Sequence, residues 1–138
     1  MKSFSRSWIS SSKPRKQRKY RFNAPLHIKQ KFMSAHLSKE LREKYSRRSL
    51  ALRKGDKVKI MRGTFSGHVG KVDDVDLKKG KIIVSGIERT KKDGSKAITR
   101  VHPSKVMVIE LNLDDALRQK KLDAKKAPKP DAVKSVKK

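Results

Sequence analysis

The chain has 138 residues, with 39 Lys and Arg against 13 Asp and Glu, a formal charge of +26 and a hydrophobic fraction of 34%. One unbalanced positive charge for about every five residues opposes compaction, so a polyanionic partner is expected, and the length admits one domain plus tails while excluding a large multidomain enzyme. The absence of cysteine excludes disulfides, thiolate metal sites and a cysteine nucleophile; no apolar stretch approaches a membrane span, and Met1 to Ser12 lacks the apolar core of a secretory signal. An intracellular protein with no membrane and no small-molecule substrate is expected.

The charge is unevenly placed. Residues 1–54 carry a net +15, residues 55–113 +6 and residues 114–138 +5. The first 22 residues form a basic arm whose densest part runs from Lys13 to Phe22, with cations at Lys13, Arg15, Lys16, Arg18, Lys19 and Arg21. Pro14 is expected to interrupt helix, and the stretch lacks the apolar content for a core, so disorder in the free chain is expected. A solvated tail or a nuclear-import run would share this composition. The rings of Tyr20 and Phe22 among the cations favour nucleic acid, since rings stack on bases while cations meet phosphates.

Residues 23–54 read as a short helical extension. Leu26, Ile28, Phe32 and Met33 suggest one helical face ending near Ser34. From Ser38 to Tyr45 a serine cap, an early Glu40, and Leu41 and Tyr45 at i, i+4 predict a second short helix. Helices this short are marginal alone, so packing or RNA must hold them.

From Gly55 to Leu113 the period becomes two. Val58 and Ile60; Val69, Val72 and Val75; Ile82, Ile83 and Val84; Ile98 and Val101; and Val106, Val108 and Ile109 mark about five strands. Turn residues separate them at 62–67, 78–80, 92–95 and 102–104, and Asp93-Gly94 predicts a two-residue hairpin with positive φ at both centres. Five short strands in under 60 residues imply a small closed or half-closed barrel, in a fold that is mostly β. Beyond it, Leu113, Leu117 and Lys121 predict a short helix with Asp114 and Asp115 in its first turn. A lysine-rich tail, expected to be disordered after Pro128, follows.

The most specific segment is Val58 to Val72. Two strands flank a loop with glycines at 63, 67 and 70, where the backbone turns or is approached closely. Arg62, Gly63, Thr64, Gly67, His68 and Lys71 are candidate RNA contacts, because exposed amides beside cations suit phosphate. Arg15, Lys16, Arg18, Lys19 and Arg21 in the arm, and Lys105 after the last turn, complete the candidate set. The segment resembles the KOW motif in its alternating apolar residues, its three glycines and the closing Val72.

The likeness extends over Asn23-Ala24-Pro25-Leu26, Leu37 to Tyr45, Gly55-Asp56-Lys57-Val58, His102-Pro103-Ser104-Lys105-Val106 and Glu110-Leu111-Asn112-Leu113, in that order. Residues 13–121 thereby resemble the large-subunit ribosomal protein twenty-four family, twenty-six in eukaryotes, in its archaeal and eukaryotic form. The resemblance implies an SH3-like barrel bound to large-subunit ribosomal RNA near its 5′ end and a role in early subunit assembly. It also implies a cytoplasmic place near the polypeptide exit tunnel, among neighbouring ribosomal proteins and exit-site factors.

Competing chemistries fit less well. A phosphate-binding loop would need Ser or Thr after Gly70-Lys71 and a glycine at position 65; Val72 and Phe65 stand there. His27, His36, His68 and His102 show no helical metal-binding pair, so no cofactor is expected. On a regular strand Asp74 and Asp76 would face one way and Asp73 the other, with no nucleophile or histidine beside them, and no enzyme is read here. Phe65 is the only Phe, Tyr or Trp between residues 55 and 113, too little for an aromatic cage. A KOW-containing transcription elongation regulator is the alternative reading, but the 54 residues before the barrel are too basic and too few for the α/β domain that such factors place there.

Overall fold

The structure, a computed structural model, describes residue 4 and residues 11–123. The lysine-rich end beyond residue 123 and most of the first dozen residues, whose roles the sequence left open, lie outside the described residues.

The basic run of the arm is helical, α1 (Pro14–Asn23). Proline does not interrupt this helix but begins it. Pro14 sits in the first turn, where its missing N–H needs no partner, and the Lys, Arg and Gln that follow are good helix formers. The carbonyl of Lys13 accepts from Lys16 and Gln17 at 3.1 and 3.2 Å, starting the ladder. The helix ends at Ala24 because Pro25 forces the preceding residue to extended backbone, here φ −63 and ψ 133. The second helix, α2 (Leu26–Phe32), starts at once after Pro25.

Two strands follow that periodicity did not suggest, β1 (Ser34–Leu37) and β2 (Ser49–Ala51). They pair antiparallel around α3 (Lys39–Tyr45), whose cap is the expected Ser38, its hydroxyl accepting from the Leu41 amide at 3.3 Å. Ser46 ends α3 in the left-handed region at φ 49.

The five expected strands between residues 55 and 113 are β3 (Lys57–Ile60), β4 (Val69–Asp76), β5 (Lys81–Thr90), β6 (Lys96–Val101) and β7 (Val106–Glu110). They join one sheet in the order β2-β1-β7-β3-β4-β5-β6, in which β1 lies parallel to β7 and continues the sheet into the extension. The fold is thus mostly β, a small SH3-like barrel. Strand β4 pairs with β3 through residues 69–71 and with β5 through residues 72–76, so the sheet changes direction along it. One core takes Met33, Ala35 and Leu37 from the extension, Val58, Ile60, Val72, Ile82, Val84, Ile87, Val106 and Val108 from the middle strands, and Val101 from β6.

Strand parity corrects several expectations. Val69 and Ile98 are three residues from the buried Val72 and Val101, hence on the opposite face, and both are exposed. A bulge between Val72 and Asp74 places Asp73 and Asp74 both outward and returns Val75 toward the core, unlike the regular alternation expected for the three acids. The β5–β6 connection spans Lys91 to Ser95, closed by the Lys91 amide on the Ser95 carbonyl at 2.8 Å. Gly94 has positive φ there and Asp93 does not, so this is not the two-residue primed turn.

The last helix, α4 (Ala116–Asp123), exists as expected but turns a different face inward. Leu117 is 66% exposed, while Arg118 and Leu122, at i, i+4, are buried. The cause is electrostatic: Arg118 reaches the buried Asp56, with Nη1 to Oδ1 at 2.7 Å and Nη2 to Oδ2 at 2.8 Å. Asp114 and Asp115 precede the helix, and Asp115 Oδ1 accepts from the Leu117 amide at 2.8 Å, a cap at its start.

Candidate nucleic-acid interface

The glycine loop is a tight hairpin end. Ile60 and His68 are joined by the Ile60 amide on the His68 carbonyl, and the Gly67 amide returns to the Ile60 carbonyl, both at 2.9 Å. A turn closes inside it from the Ser66 amide to the Gly63 carbonyl at 3.0 Å. Gly63 and Gly67 have φ of +101 and +90, values that exclude most other residues. Among the described residues the amides of Arg62, Gly63, Thr64 and Phe65 meet no acceptor. Consecutive free amides beside the exposed Arg62 offer donors and positive charge of the kind that suits phosphate.

The third glycine works differently. Gly70 has no left-handed φ; a Cβ there would lie 2.7 Å from the Ser85 carbonyl oxygen, so it lets β4 press against β5. His68 spans the same junction, its Nε2 3.0 Å from the Ser85 carbonyl oxygen and its ring over Gly86. That ring nitrogen is thus already engaged within the barrel. Lys71 is exposed but lies opposite Lys57, on the order of 15 Å along the strand from Arg62. The two cations do not flank one loop. Lys71 instead belongs with Lys57 and Lys59 on the outward face of β3 and β4, with Glu110 bonded to Lys57 at 2.8 Å.

Lys105 does reach the loop. It ends a short 3-10 turn, Pro103–Lys105, and its carbonyl accepts the Met61 amide at 2.8 Å. His102 caps that turn, Nδ1 accepting from the Ser104 amide at 3.2 Å, so the neutral ring carries its proton on Nε2. Burial first, then the charges of Arg21, Lys105 and Lys81, hold the His102 pKa below the usual histidine value. Those charges also show that α1, the 3-10 turn and the start of β5 share one positive field.

On α1 the arm cations divide. Arg15, Arg18 and Lys19 project to solvent at i, i+3 and i+4 with Phe22, which is 82% exposed; Lys16 lies on the flank, also exposed. Gln17, Tyr20 and Arg21 face the other way into a cleft against α2 and the β4–β5 turn. Tyr20 packs between Phe4 and Phe32, with ring centroids 4.8 and 6.2 Å away. The two aromatics of α1 therefore differ: Phe22 is open and Tyr20 is half-buried.

Sequence reasoning missed Lys29, Lys78 and Lys79, which line the same cleft as Arg21. Lys78-Lys79-Gly80 carried only a turn signal. Its closeness to α1 and α2 is a tertiary fact that no local pattern contains.

Residues 11–125 match one family model, that of eukaryotic ribosomal protein L26 and its archaeal form, ribosomal protein twenty-four. The chain is 52% identical over 110 residues to the large ribosomal subunit protein uL24 of Methanothrix thermoacetophila, covering 80% of this chain and 95% of that one. It is 49% identical over 117 residues to the protein of the same name from Korarchaeum cryptofilum, covering 85% and 89%. With that of Methanosphaera stadtmanae it shares 48% over 115 residues, covering 83% and 98%.

Proposed function

Because the chain belongs to the family of eukaryotic ribosomal protein L26 and archaeal ribosomal protein twenty-four, we propose that it is a structural constituent of the large ribosomal subunit that holds folded ribosomal RNA. The family is structural rather than enzymatic, and its archaeal members are named for the large subunit. The place of work is the cytoplasmic ribosome, and the neighbours are large-subunit RNA and proteins.

The finer reading is that the protein binds near the 5′ end of large-subunit RNA, joins early in assembly and lies near the polypeptide exit tunnel, within reach of exit-site factors. Three basic surfaces support RNA contact: the outward face of α1 with Arg15, Lys16, Arg18 and Lys19; the glycine loop with Arg62, Gly63, Thr64 and Gly67, joined by Lys105; and the β3–β4 face with Lys71. His68 contributes by holding the loop's base against β5, and Arg21 from the inner side of α1. Contacts of this kind read phosphate, ribose and shape more than base sequence.

The single observation that carries the reading is the family match across residues 11–125 in a chain of net charge +26. Affinity purification of the tagged protein from its native lysate tests it. Stoichiometric large-subunit RNA is the expected result; RNA polymerase without ribosomal RNA would favour the elongation-factor alternative instead.

A further inference from the structure

The cleft between α1, α2 and the β4–β5 turn has a volume of about 920 Å³ and joins two neighbouring helices to a turn far along the chain. Arg21 from α1, Lys29 from α2, and Lys78 and Lys79 from the turn place four cations around it, and among the described residues none that lines it is acidic. Phe32, 41% exposed, supplies an aromatic wall, with the buried Met33 at the base. The turn is fixed rather than loose: the Lys79 amide donates to Asp76 Oδ1 at 2.9 Å, and the Gly80 amide to the Asp76 carbonyl at 2.8 Å. His102 stands at the rim with Nε2–H as a donor.

A free phosphate would not use an aromatic wall, and an RNA duplex cannot enter a cleft. An unpaired nucleotide satisfies every part. Its base has a π-face for Phe32 and edge acceptors for a histidine N–H, and its flanking phosphates meet the lysines. The volume lies in the range of about 300–1,000 Å³ that holds small ligands.

We infer that this cleft receives one splayed-out nucleotide of single-stranded RNA, its base against Phe32 and its phosphates on Arg21, Lys29, Lys78 and Lys79. The inference rests on the RNA-binding reading above and adds to it a site selective for unpaired RNA. The α1 outer face and the glycine loop would serve paired and unpaired RNA alike.

The test uses the full chain with two probes, a fluorescent ten-nucleotide oligouridylate and an RNA hairpin of similar charge whose stem is closed by a non-nucleotide linker, so that it offers no unpaired base, followed by anisotropy. Phe32→Leu keeps apolar bulk and removes the ring. The expected result is about a tenfold weaker affinity for oligouridylate, the scale of one lost base stack, with hairpin binding unchanged. The double variant Lys78→Ala, Lys79→Ala should weaken oligouridylate more than hairpin. A 4-thiouridine oligonucleotide on the wild-type chain should crosslink to the peptide containing residues 26–33, a readout that does not depend on how the variants fold. Equal affinity of Phe32→Leu for oligouridylate, equal loss on both probes, or crosslinks confined to the outer face of α1 would overturn the site. Large-subunit RNA binding by the wild type alongside any of these results would leave the ribosomal reading intact. Conversely, Phe32-dependent oligouridylate binding with no affinity for large-subunit RNA would support the cleft and overturn the ribosomal reading.

Discussion

Asp56 and Arg118 form a two-pronged ion pair inside the protein, the carboxylate fully buried and the guanidinium 5% exposed. Asp56 also accepts the amides of Arg53 and Asn112, and Arg118 donates to the carbonyls of Asn112 and Ala51. Both charges are therefore surrounded by hydrogen bonds, and together they bind the end of β2, the entry to β3, the exit of β7 and helix α4 at one point. Leu122, one turn further along α4, is buried by the same attachment.

Breaking this pair from one side strands a charge without its partner. Arg118→Leu is expected to lower stability by about 3–5 kcal/mol, and Asp56→Leu by a similar amount. Replacing both residues with apolar ones should cost less than either single change, because neither charge is then left unpaired. Urea unfolding of the three variants checks the order; a double variant as unstable as the sum of the singles would deny the coupling.

Gly70 gives a second stability test that separates it from its neighbour. A Cβ at residue 70 would press on the Ser85 carbonyl oxygen at 2.7 Å and on Val84 Cγ1 at 2.9 Å. Backbone cannot yield there without parting β4 from β5 where the sheet turns. Gly70→Ala should cost roughly 1–3 kcal/mol, whereas Lys71→Ala, an exposed side chain one residue on, should stay within about 0.5 kcal/mol. Thermal denaturation of both variants reads the difference directly.

These residues also mark what was legible beforehand. The alternation around Val58, Ile60 and Val72, the glycine loop and the Ser38 cap are local signals and lie where expected. Strands β1 and β2 are short and derive their stability from pairing with β7 and with each other, so Ser34–Leu37 carries too little pattern to separate strand from helix. Pro14 reads equally as a breaker or as a first-turn residue until the residues after it are seen to propagate a helix. The inward face of α4 is set by Asp56, 62 residues before Arg118, which helical spacing alone cannot reveal. Likewise the cations Arg21, Lys29, Lys78 and Lys79 become a set only when the chain folds.

Stability should also depend on pH through His36. The Arg42 guanidinium donates to His36 Nε2, which requires the neutral ring. Burial, then Arg42 and Arg48, lower its pKa from the ordinary 6.5. The unfolded chain therefore binds this proton at a higher pH than the folded one, and stability rises with pH between the two values. It is complete above about pH 7 and falls as the pH drops through 6.5. His102, also lowered, acts in the same direction. Urea unfolding at pH 7.5 and 5.5 should show the loss, and His36→Gln, which retains an acceptor for Arg42, should reduce it while leaving the His102 part. A steeper loss in His36→Gln would contradict this assignment.

The outward face of α1 yields a prediction on binding rather than stability. Arg15, Arg18 and Lys19 are exposed and form no ion pair among the described residues, so their charge is available to RNA phosphates. Replacing all three with Gln preserves helix propensity and leaves Arg21 in the cleft. Each phosphate contact removed lowers the magnitude of the slope of log K against log salt by about 0.7–0.9. The triple variant should therefore bind large-subunit RNA more weakly at low salt, with a slope reduced by about 2 to 3, and should approach the wild type as salt rises. Deleting residues 1–22 should go further in the same direction, since it also removes Lys2, Arg6, Lys13, Lys16 and Arg21. An unchanged salt slope in the triple variant would mean that these cations face solvent in the complex, and the work of holding the RNA would pass to the glycine loop, Lys105 and the β3–β4 face.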